Sequence, residues 1–219
     1  MNPKSQRIRA VHNMKQNLIL DAALKIISRD GYHSARLEDI ADEAGFSKAS
    51  LYHYFPDREA LVLQLVLREQ RDLMERCEEI LLEEKEDFCE GLKRLIRLFF
   101  STMMKHAQFH KSFGDLLERK FSNMADMASK HTELFQEVIR NHQEISACIF
   151  QLVDRGLGQG KIDLPENLDS QRVALYINSI IEGIFKQSCL RDMNNIDIDG
   201  ETERLFLFLS PWLKQKTEM

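Results

Sequence analysis

Helix breakers are scarce in this sequence of 219 residues, which contains only 9 glycines and 4 prolines. The long segments between them favour helix, whereas a β-rich fold needs a turn signal about every 8–12 residues. No apolar stretch reaches the roughly 18 residues that a membrane span requires, and the basic N-terminus lacks the apolar segment of a secretion signal. We therefore expect a cytoplasmic, all-α protein of about nine helices.

Metal-ligating and redox-active residues form no strong pattern. The four cysteines lie far apart, without a C-x-x-C pair, at Cys77, Cys89, Cys148 and Cys189. Reduced core thiols are the preferred interpretation, with a redox-sensing Cys89 or Cys148 as the alternative. His106 and His110 could share one helix face as metal ligands, but no third ligand lies in register, and an exposed helix end is preferred. We therefore expect no metal and no other cofactor.

The net charge of −5 and the isoelectric point of about 5.8 are unusual for a protein that binds nucleic acid. The charge is, however, unevenly distributed. Residues 1–66 carry nine Lys and Arg against eight Asp and Glu, and the rest of the chain has a net charge of −6. Four of the cations, and no acid, lie in residues 1–15. Binding to phosphate depends on the face that these cations occupy, which the net charge does not determine.

Apolar residues at helical spacing predict the first helices at about 15–30, 37–44 and 48–54. A fourth helix is expected to follow Pro56, with Asp57 as its N-cap, and to continue to about Glu84. Its 26 or so residues would span roughly 40 Å, long enough to connect two parts of the molecule. Later patterns predict helices at about 88–105, 110–121, 132–157, 170–190 and 201–214.

Residues 37–55 have the pattern of a helix-turn-helix, whose second helix enters the major groove of DNA. The first helix is expected to end at Gly45, where a left-handed residue is favoured, and the second to be capped by Ser47. Leu51 and Phe55 should face the core. The opposite side then presents Lys48, Ala49, Ser50, Tyr52 and His53 to solvent or to DNA. Short side chains permit close approach to base edges, and the cationic and hydroxyl groups suit phosphate oxygens.

Residues 15–66 resemble the DNA-binding domain of the tetracycline-repressor (TetR) family. The resemblance lies in I-L-D-A-A-L at 19–24, D-G-Y at 30–32, D-I-A-D-E-A-G-F-S-K-A-S-L-Y-H-Y-F at 39–55 and R-E-A-L at 58–61. It implies a homodimeric, all-helical transcriptional regulator, usually a repressor, whose C-terminal domain binds a small effector and pairs with a second subunit. The implied division is a basic arm at 1–14, a DNA-binding domain at 15–66, and a ligand-binding and dimerisation domain at 67–219.

The resemblance also implies DNA contacts at Arg36, Ser47, Lys48, Ala49, Ser50, Tyr52, His53, Tyr54 and Arg58. Two positions depart from the family pattern. Arg36 stands where the family commonly has Thr, so that Ser34 or water must cap the second helix. Glu38 stands where the family often has Arg, and a carboxylate there cannot read guanine and repels phosphate. The basic arm could reach the minor groove or the DNA backbone, or it could be a frayed tail.

Later segments also resemble the family, at R-G-L-G-Q-G-K-I-D (155–163) and S-I-I-E-G-I-F (179–185). Apolar residues surround the predicted helices at 170–190 and 201–214, which the family pairs across a two-fold axis. The dimer interface is expected at Val173, Ile177, Ile180, Ile184, Leu205, Phe208 and Trp212. An effector pocket is expected among the middle helices, at Phe99, Phe100, Met103, Met104, Phe113, Leu116, Met124, Phe135, Ile177 and Glu182.

These observations predict a regulator that binds a palindromic operator in double-stranded DNA and is released by a small-molecule effector. Two alternatives remain: a DNA-binding factor that acts through a protein partner without a small effector, and, more remotely, a helical metal-binding protein or enzyme. An enzyme is not expected, because the sequence has no nucleophile elbow, phosphate-binding loop or carboxylate pair with an assignable role.

Overall fold

The computed structural model describes residues 2–83, 88–111, 128–191, 197–211 and 214–215. The described helices are α1 (Pro3–Asp30), α2 (Leu37–Ala44), α3 (Lys48–Tyr54), α4 (Arg58–Glu83), α5 (Phe88–Lys105), α6 (Thr132–Gly158), α7 (Ser170–Arg191) and α8 (Ile198–Leu209). Strands β1 (Ile162–Asp163) and β2 (Lys214–Gln215) form one short antiparallel pair. The predicted all-α fold is confirmed. Most of the helix predicted at 110–121 lies outside the described residues.

The first helix begins much earlier than the sequence pattern indicated. Asn2 caps it by accepting a hydrogen bond from the backbone N–H of Lys4, at 3.0 Å, and Pro3 occupies the first helical turn. Proline is favoured there because its missing N–H would have no partner within the helix. The segment at 1–14 was therefore wrongly predicted as an arm, since residues 3–14 form the first part of α1.

The last helix, predicted at 201–214, both begins and ends earlier than expected. Asp197 caps α8 by accepting a hydrogen bond from the backbone N–H of Gly200, at 2.9 Å. At the other end, Pro211 follows Ser210 and cannot continue the helical hydrogen-bond ladder. Lys214 consequently lies in β2 rather than in the helix, where it pairs with Asp163 of β1.

The chain divides into two compact units, and α4 and α6 each contribute residues to both. Unit 1 comprises residues 1–69 and 108–139. Its core is formed by α1 to α4 together with Phe109 and Val138. Leu51 and Phe55 are fully buried in this core, as predicted.

Unit 2 comprises residues 70–107 and 140–219. Within it, α5 packs against both α7 and α8, and its buried residues include Leu92, Leu95 and Ile96. Gly156 of α6 lies against the ring of Phe88, so close that a β-carbon at this glycine would stand 2.6 Å from a ring atom. This contact explains why a residue without a side chain occupies that position.

Candidate nucleic-acid interface

The turn between α2 and α3 has the geometry that the sequence predicted. Gly45 adopts the left-handed conformation (φ 74°, ψ 28°), and its N–H hydrogen-bonds the carbonyls that end α2. The N–H of Phe46 donates to the carbonyl of Ala41 at 2.8 Å. Ser47 then caps α3 by accepting a hydrogen bond from the backbone N–H of Ser50, at 3.2 Å. Because these bonds satisfy both helix ends, the turn fixes the direction in which α3 leaves the core.

One side of α3 is exposed and chemically suited to nucleic acid. Lys48, Ala49, Tyr52 and His53 are exposed, and Ser50 is half-buried. The exposed Ser47 hydroxyl donates to the Ser50 hydroxyl, at 3.0 Å. The side therefore presents small residues flanked by a cation, hydroxyl groups and an imidazole, which can approach base edges and bind phosphate oxygens.

Tyr54 differs from the other residues assigned to DNA contact. Its half-buried ring lies 4.8 Å from the ring of His12 and 6.3 Å from that of Phe46, centroid to centroid. Tyr54 thus packs α3 against α1 and the preceding turn. The structure gives it a supporting position within unit 1, in contrast to the exposed Tyr52.

An open depression of about 450 Å³ lies beside the exposed side of α3. It is lined by His33, Ser34, Ala35, Arg36, Leu37, Glu38, Tyr52 and Arg58. The guanidinium of Arg58 stacks on the ring of Tyr32, with 4.1 Å from its central carbon to the ring centroid. Within the described residues, the Nη2 atom of Arg58 is buried and has no hydrogen-bond partner. The depression brings two arginines and a phenol together beside the carboxylate of Glu38, and the guanidinium groups are suited to bind an anion.

The N-terminus of α2 lies at the edge of this depression. Arg36 occupies the N-cap position and makes no side-chain capping hydrogen bond. The proposed substitute, Ser34, is exposed, and no described hydrogen bond shows it capping the helix. Glu38 and Asp39 lie in the first turn, where the helix dipole favours negative charge.

Glu38 forms an ion pair with Lys48, which connects the first turns of α2 and α3. Hydrogen bonding to the ammonium group lowers the pKa of Glu38, and the same bond raises the pKa of Lys48. Both groups remain charged at neutral pH. The lysine assigned to DNA contact therefore already has a partner within the protein.

A second polar cluster lies at the start of α4, within unit 1. Asp57 caps the helix by accepting a hydrogen bond from the N–H of Ala60, at 2.8 Å, as predicted. The same carboxylate contacts Nε2 of His131 at 2.9 Å and Nζ of Lys130 at 3.2 Å. Partial burial opposes the charge on Asp57, but these bonds outweigh it and hold the pKa of the carboxyl group below its usual value.

Sequence reasoning missed this cluster because its members lie 74 residues apart. No local pattern marks Lys130 or His131 as partners of Asp57. Only the cap itself had a sequence signal, namely Pro-Asp followed by a helical pattern.

The basic residues of the N-terminal segment lie on a helix. Lys4, Arg7, Arg9 and Lys15 are exposed on the first half of α1. An α-helix is about 10–12 Å across, whereas the minor groove of B-DNA is about 6 Å wide. In this conformation the segment can contact the DNA backbone, but it is too wide to enter the groove as an extended arm would.

Several residues assigned to the dimer interface are instead buried within their own unit. Val173, Ile177 and Leu205 are at most 3% exposed, because they pack in the core of unit 2. They were wrongly predicted as interface residues, since a side chain already covered by its own chain has no surface to offer a partner. Ile180 and Ile184 are half-buried, Phe208 is 58% exposed, and Trp212 lies outside the described residues.

The residues assigned to an effector pocket are divided between the two units. Phe99 and Phe100 are buried in unit 2, where Met103 and Met104 are half-buried, whereas Phe135 packs against the core of unit 1. Glu182 is exposed on α7, whereas Ile177 is completely buried in the core of unit 2. Phe113, Leu116 and Met124 lie outside the described residues.

Cys77 and Cys148 lie together in the core of unit 2, and Cys89 is half-buried. A hydrogen bond to Cys148, reinforced by burial, raises the pKa of the Cys77 thiol. The described residues contain no group of three or more His, Cys, Asp or Glu placed to hold a metal ion. Among the same residues, no helix is both long and apolar enough to span a bilayer.

Comparison with known proteins identifies relatives of this architecture. Residues 19–65 match the profile of the bacterial regulatory proteins of the tetR family. The chain is 25% identical to the transcriptional regulator TtgR of Pseudomonas putida over 205 residues, which cover 90% of this chain and 93% of TtgR. It is 48% identical to RutR of Escherichia coli over 68 residues, 31% of each chain.

Among solved structures, the fold resembles that of the regulator FadR from Bacillus subtilis in complex with stearoyl-CoA. The TM-score is 0.71 at 22% sequence identity, covering 90% of this chain and 98% of FadR. The helix-turn-helix, its exposed recognition helix and the profile match over residues 19–65 agree with one another, and they support a transcriptional regulator of the TetR family.

Proposed function

We propose that this regulator binds a palindromic operator as a homodimer and that a small-molecule effector, bound in unit 2, releases it from DNA. The observation that supports DNA binding most directly is the exposed side of α3 beside the depression that holds Arg36 and Arg58. The match of residues 19–65 to the profile of the bacterial regulatory proteins of the tetR family also supports DNA binding.

Base contacts are assigned to the first turns of α3, where Ala49 and Ser50 allow close approach. Lys48, Tyr52 and His53 flank them and would bind phosphates or neighbouring base edges. Arg36 and Arg58 would hold one backbone phosphate in the depression. Stacking on Tyr32 limits the motion of the Arg58 guanidinium. Such preorganisation lowers the ordering cost of binding.

Dimerisation is assigned to the outer faces of α7 and α8. Leu175 and Tyr176 of α7 are 60% and 43% exposed, and Leu207 and Phe208 of α8 are 65% and 58% exposed. Large apolar side chains concentrated on two helices of one unit are typical of a surface that another protein covers. An isologous pair would present two recognition helices to a palindrome with half-sites about one helical turn apart.

Effector binding is assigned to unit 2, and an apolar ligand is favoured. The FadR of similar fold was solved with stearoyl-CoA. In this chain the half-buried Met103 and Met104 lie on α5, and methionine adapts easily to apolar ligands. Because α4 and α6 are continuous through both units, a displacement of either helix would reach the Asp57 cluster that anchors the start of α4. The ligand must then prefer the state that does not bind DNA.

The test is fluorescence anisotropy with labelled duplexes selected by the wild-type protein from a random library. Arg58→Ala should weaken binding to all sequences and reduce the salt dependence by about one phosphate contact. Tyr52→Ala should also weaken binding, but it should leave the salt dependence unchanged because the phenol carries no charge. Acyl-CoA thioesters of increasing chain length would then be added to the complex. Release that depends on chain length supports the effector assignment. If no cavity-filling compound changes the affinity, the effector half of the proposal is wrong, and selection of no duplex refutes DNA binding.

A further inference from the structure

A carboxylate lies within the surface that we assign to DNA contact. Glu38 is about half exposed, lines the depression with Arg36, Tyr52 and Arg58, and forms an ion pair with Lys48. An acidic group at this place is unexpected for a surface that binds a polyanion, because it repels phosphate and occupies the nearest lysine.

The ion pair controls what Lys48 can do. The ammonium group must leave Glu38 before it can bind a phosphate, and the freed carboxylate then lies unpaired near the DNA. Exposed ion pairs are weak, so the exchange is possible, but it gains little for any duplex that offers no further contacts. Non-operator DNA lacks the matching base contacts, so binding to it depends on the phosphate backbone, which is the part of DNA that Glu38 repels.

We propose that Glu38 is a specificity-determining residue that keeps Lys48 from contacting non-operator DNA. This inference rests on the proposed DNA-contact surface. Its consequence is that the wild-type protein makes fewer phosphate contacts on random sequence than its lysines and arginines would allow. Discrimination between operator and bulk DNA increases accordingly, because the competing non-specific affinity falls.

The chain contains a matched control. Lys25 and Glu43 form a second exposed Lys–Glu pair, also with its carboxylate on α2. Neither residue lines the depression or belongs to α3. Glu38→Gln and Glu43→Gln therefore remove the same charge and the same kind of ion pair from the same helix, and they differ in which lysine is released.

The experiment measures the affinity of each variant for a labelled duplex pool of random sequence, between 50 and 200 mM KCl. Glu38→Gln should bind more tightly at low salt. Its plot of log affinity against log salt should fall more steeply, by about 0.9 in slope for each copy of unit 1 that is bound to DNA. Between 50 and 200 mM KCl, the affinity of Glu38→Gln should therefore fall by about 3.5-fold more than the affinity of the wild type. Glu43→Gln should follow the wild type.

A double variant separates release of Lys48 from simple repulsion. In the Lys48→Gln background, Glu38→Gln should leave the slope unchanged, because no lysine remains to be released. A slope gain that persists in that background, an equal gain for Glu43→Gln, or no gain for Glu38→Gln overturns the inference and leaves DNA binding intact. If the wild-type protein binds no duplex at 50 mM KCl, both the inference and the proposed function fail.

Discussion

Removal of the Asp57 carboxylate should destabilise unit 1 by more than the loss of a helix cap. In Asp57→Ala, the lost bond to the N–H of Ala60 costs about 1 kcal/mol, the usual value for an N-cap. The bond to His131, whose side chain is only 11% exposed, adds about 1.5 kcal/mol because a charged acceptor is lost. Lys130 is 58% exposed and contributes little through its ion pair. The expected total is about 2–3 kcal/mol.

The assay is urea denaturation followed by circular dichroism, with all variants at one protein concentration because assembly raises apparent stability. Asp197 provides the control, since it caps α8 through Gly200 in the same way. Asp197→Ala should cost only about 1 kcal/mol. Asp57→Asn keeps a capping side chain and should fall between the two. If Asp57→Ala costs no more than Asp197→Ala, the contacts to His131 and Lys130 contribute nothing and the reasoning is wrong.

The pH dependence of stability follows from the same contacts. Folding depresses the pKa of Asp57, so its stabilising contribution is complete above the unfolded value of about 3.9. The contribution is lost as the pH falls through the lower folded value. The difference in stability between wild type and Asp57→Asn should therefore be constant near neutral pH and shrink below about pH 4. A difference that grows on acidification would contradict the assigned direction of the shift.

Two further substitutions test the packing of unit 2. Phe208→Asp should convert the proposed dimer to a monomer, as measured by size-exclusion chromatography with light scattering. Leu82→Asp, at another exposed apolar position on α4, is the control and should leave the dimer intact. If Phe208→Asp remains dimeric, the exposed face of α8 is not the dimer interface. Gly156→Ala should lower the free energy of unfolding by about 1–3 kcal/mol, because its methyl group would overlap the Phe88 ring. Gly158→Ala, with open space around it, is the control and should be near neutral; equal effects would refute the overlap.

The helix-turn-helix could be predicted from sequence because its determinants are local. Gly45 ends α2, Ser47 caps α3, and Leu51 and Phe55 lie four residues apart on the buried side. Each signal acts within one or two helical turns, so the sequence order alone brings the participants together. The same reasoning explains the successful assignment of Asp57 as a cap.

The dimer interface was predicted less well for a physical reason. Periodicity shows which residues of a helix are apolar, but it does not show which protein chain covers them. Val173, Ile177 and Leu205 are buried in the core of their own unit. Leu175 and Leu207 lie on the same two helices, but their side chains are exposed. The contact of Asp57 with His131 was equally inaccessible, because it depends on how distant segments fold together.

The acidic net charge of the chain is a poor guide to DNA binding by unit 1, because the ion pairs of this unit occupy acids as well as cations and leave other cations unpaired. Lys25, Arg29, Lys48 and Arg68 pair with Glu43, Asp30, Glu38 and Asp21, respectively. Within the described residues, no ion pair occupies Arg36, Arg58 or the four cations at the start of α1. Phosphate contacts should therefore be counted from these unpaired groups. The salt dependence of binding then depends on the pairing pattern, and Lys48 is the cation whose contribution changes when its partner is removed.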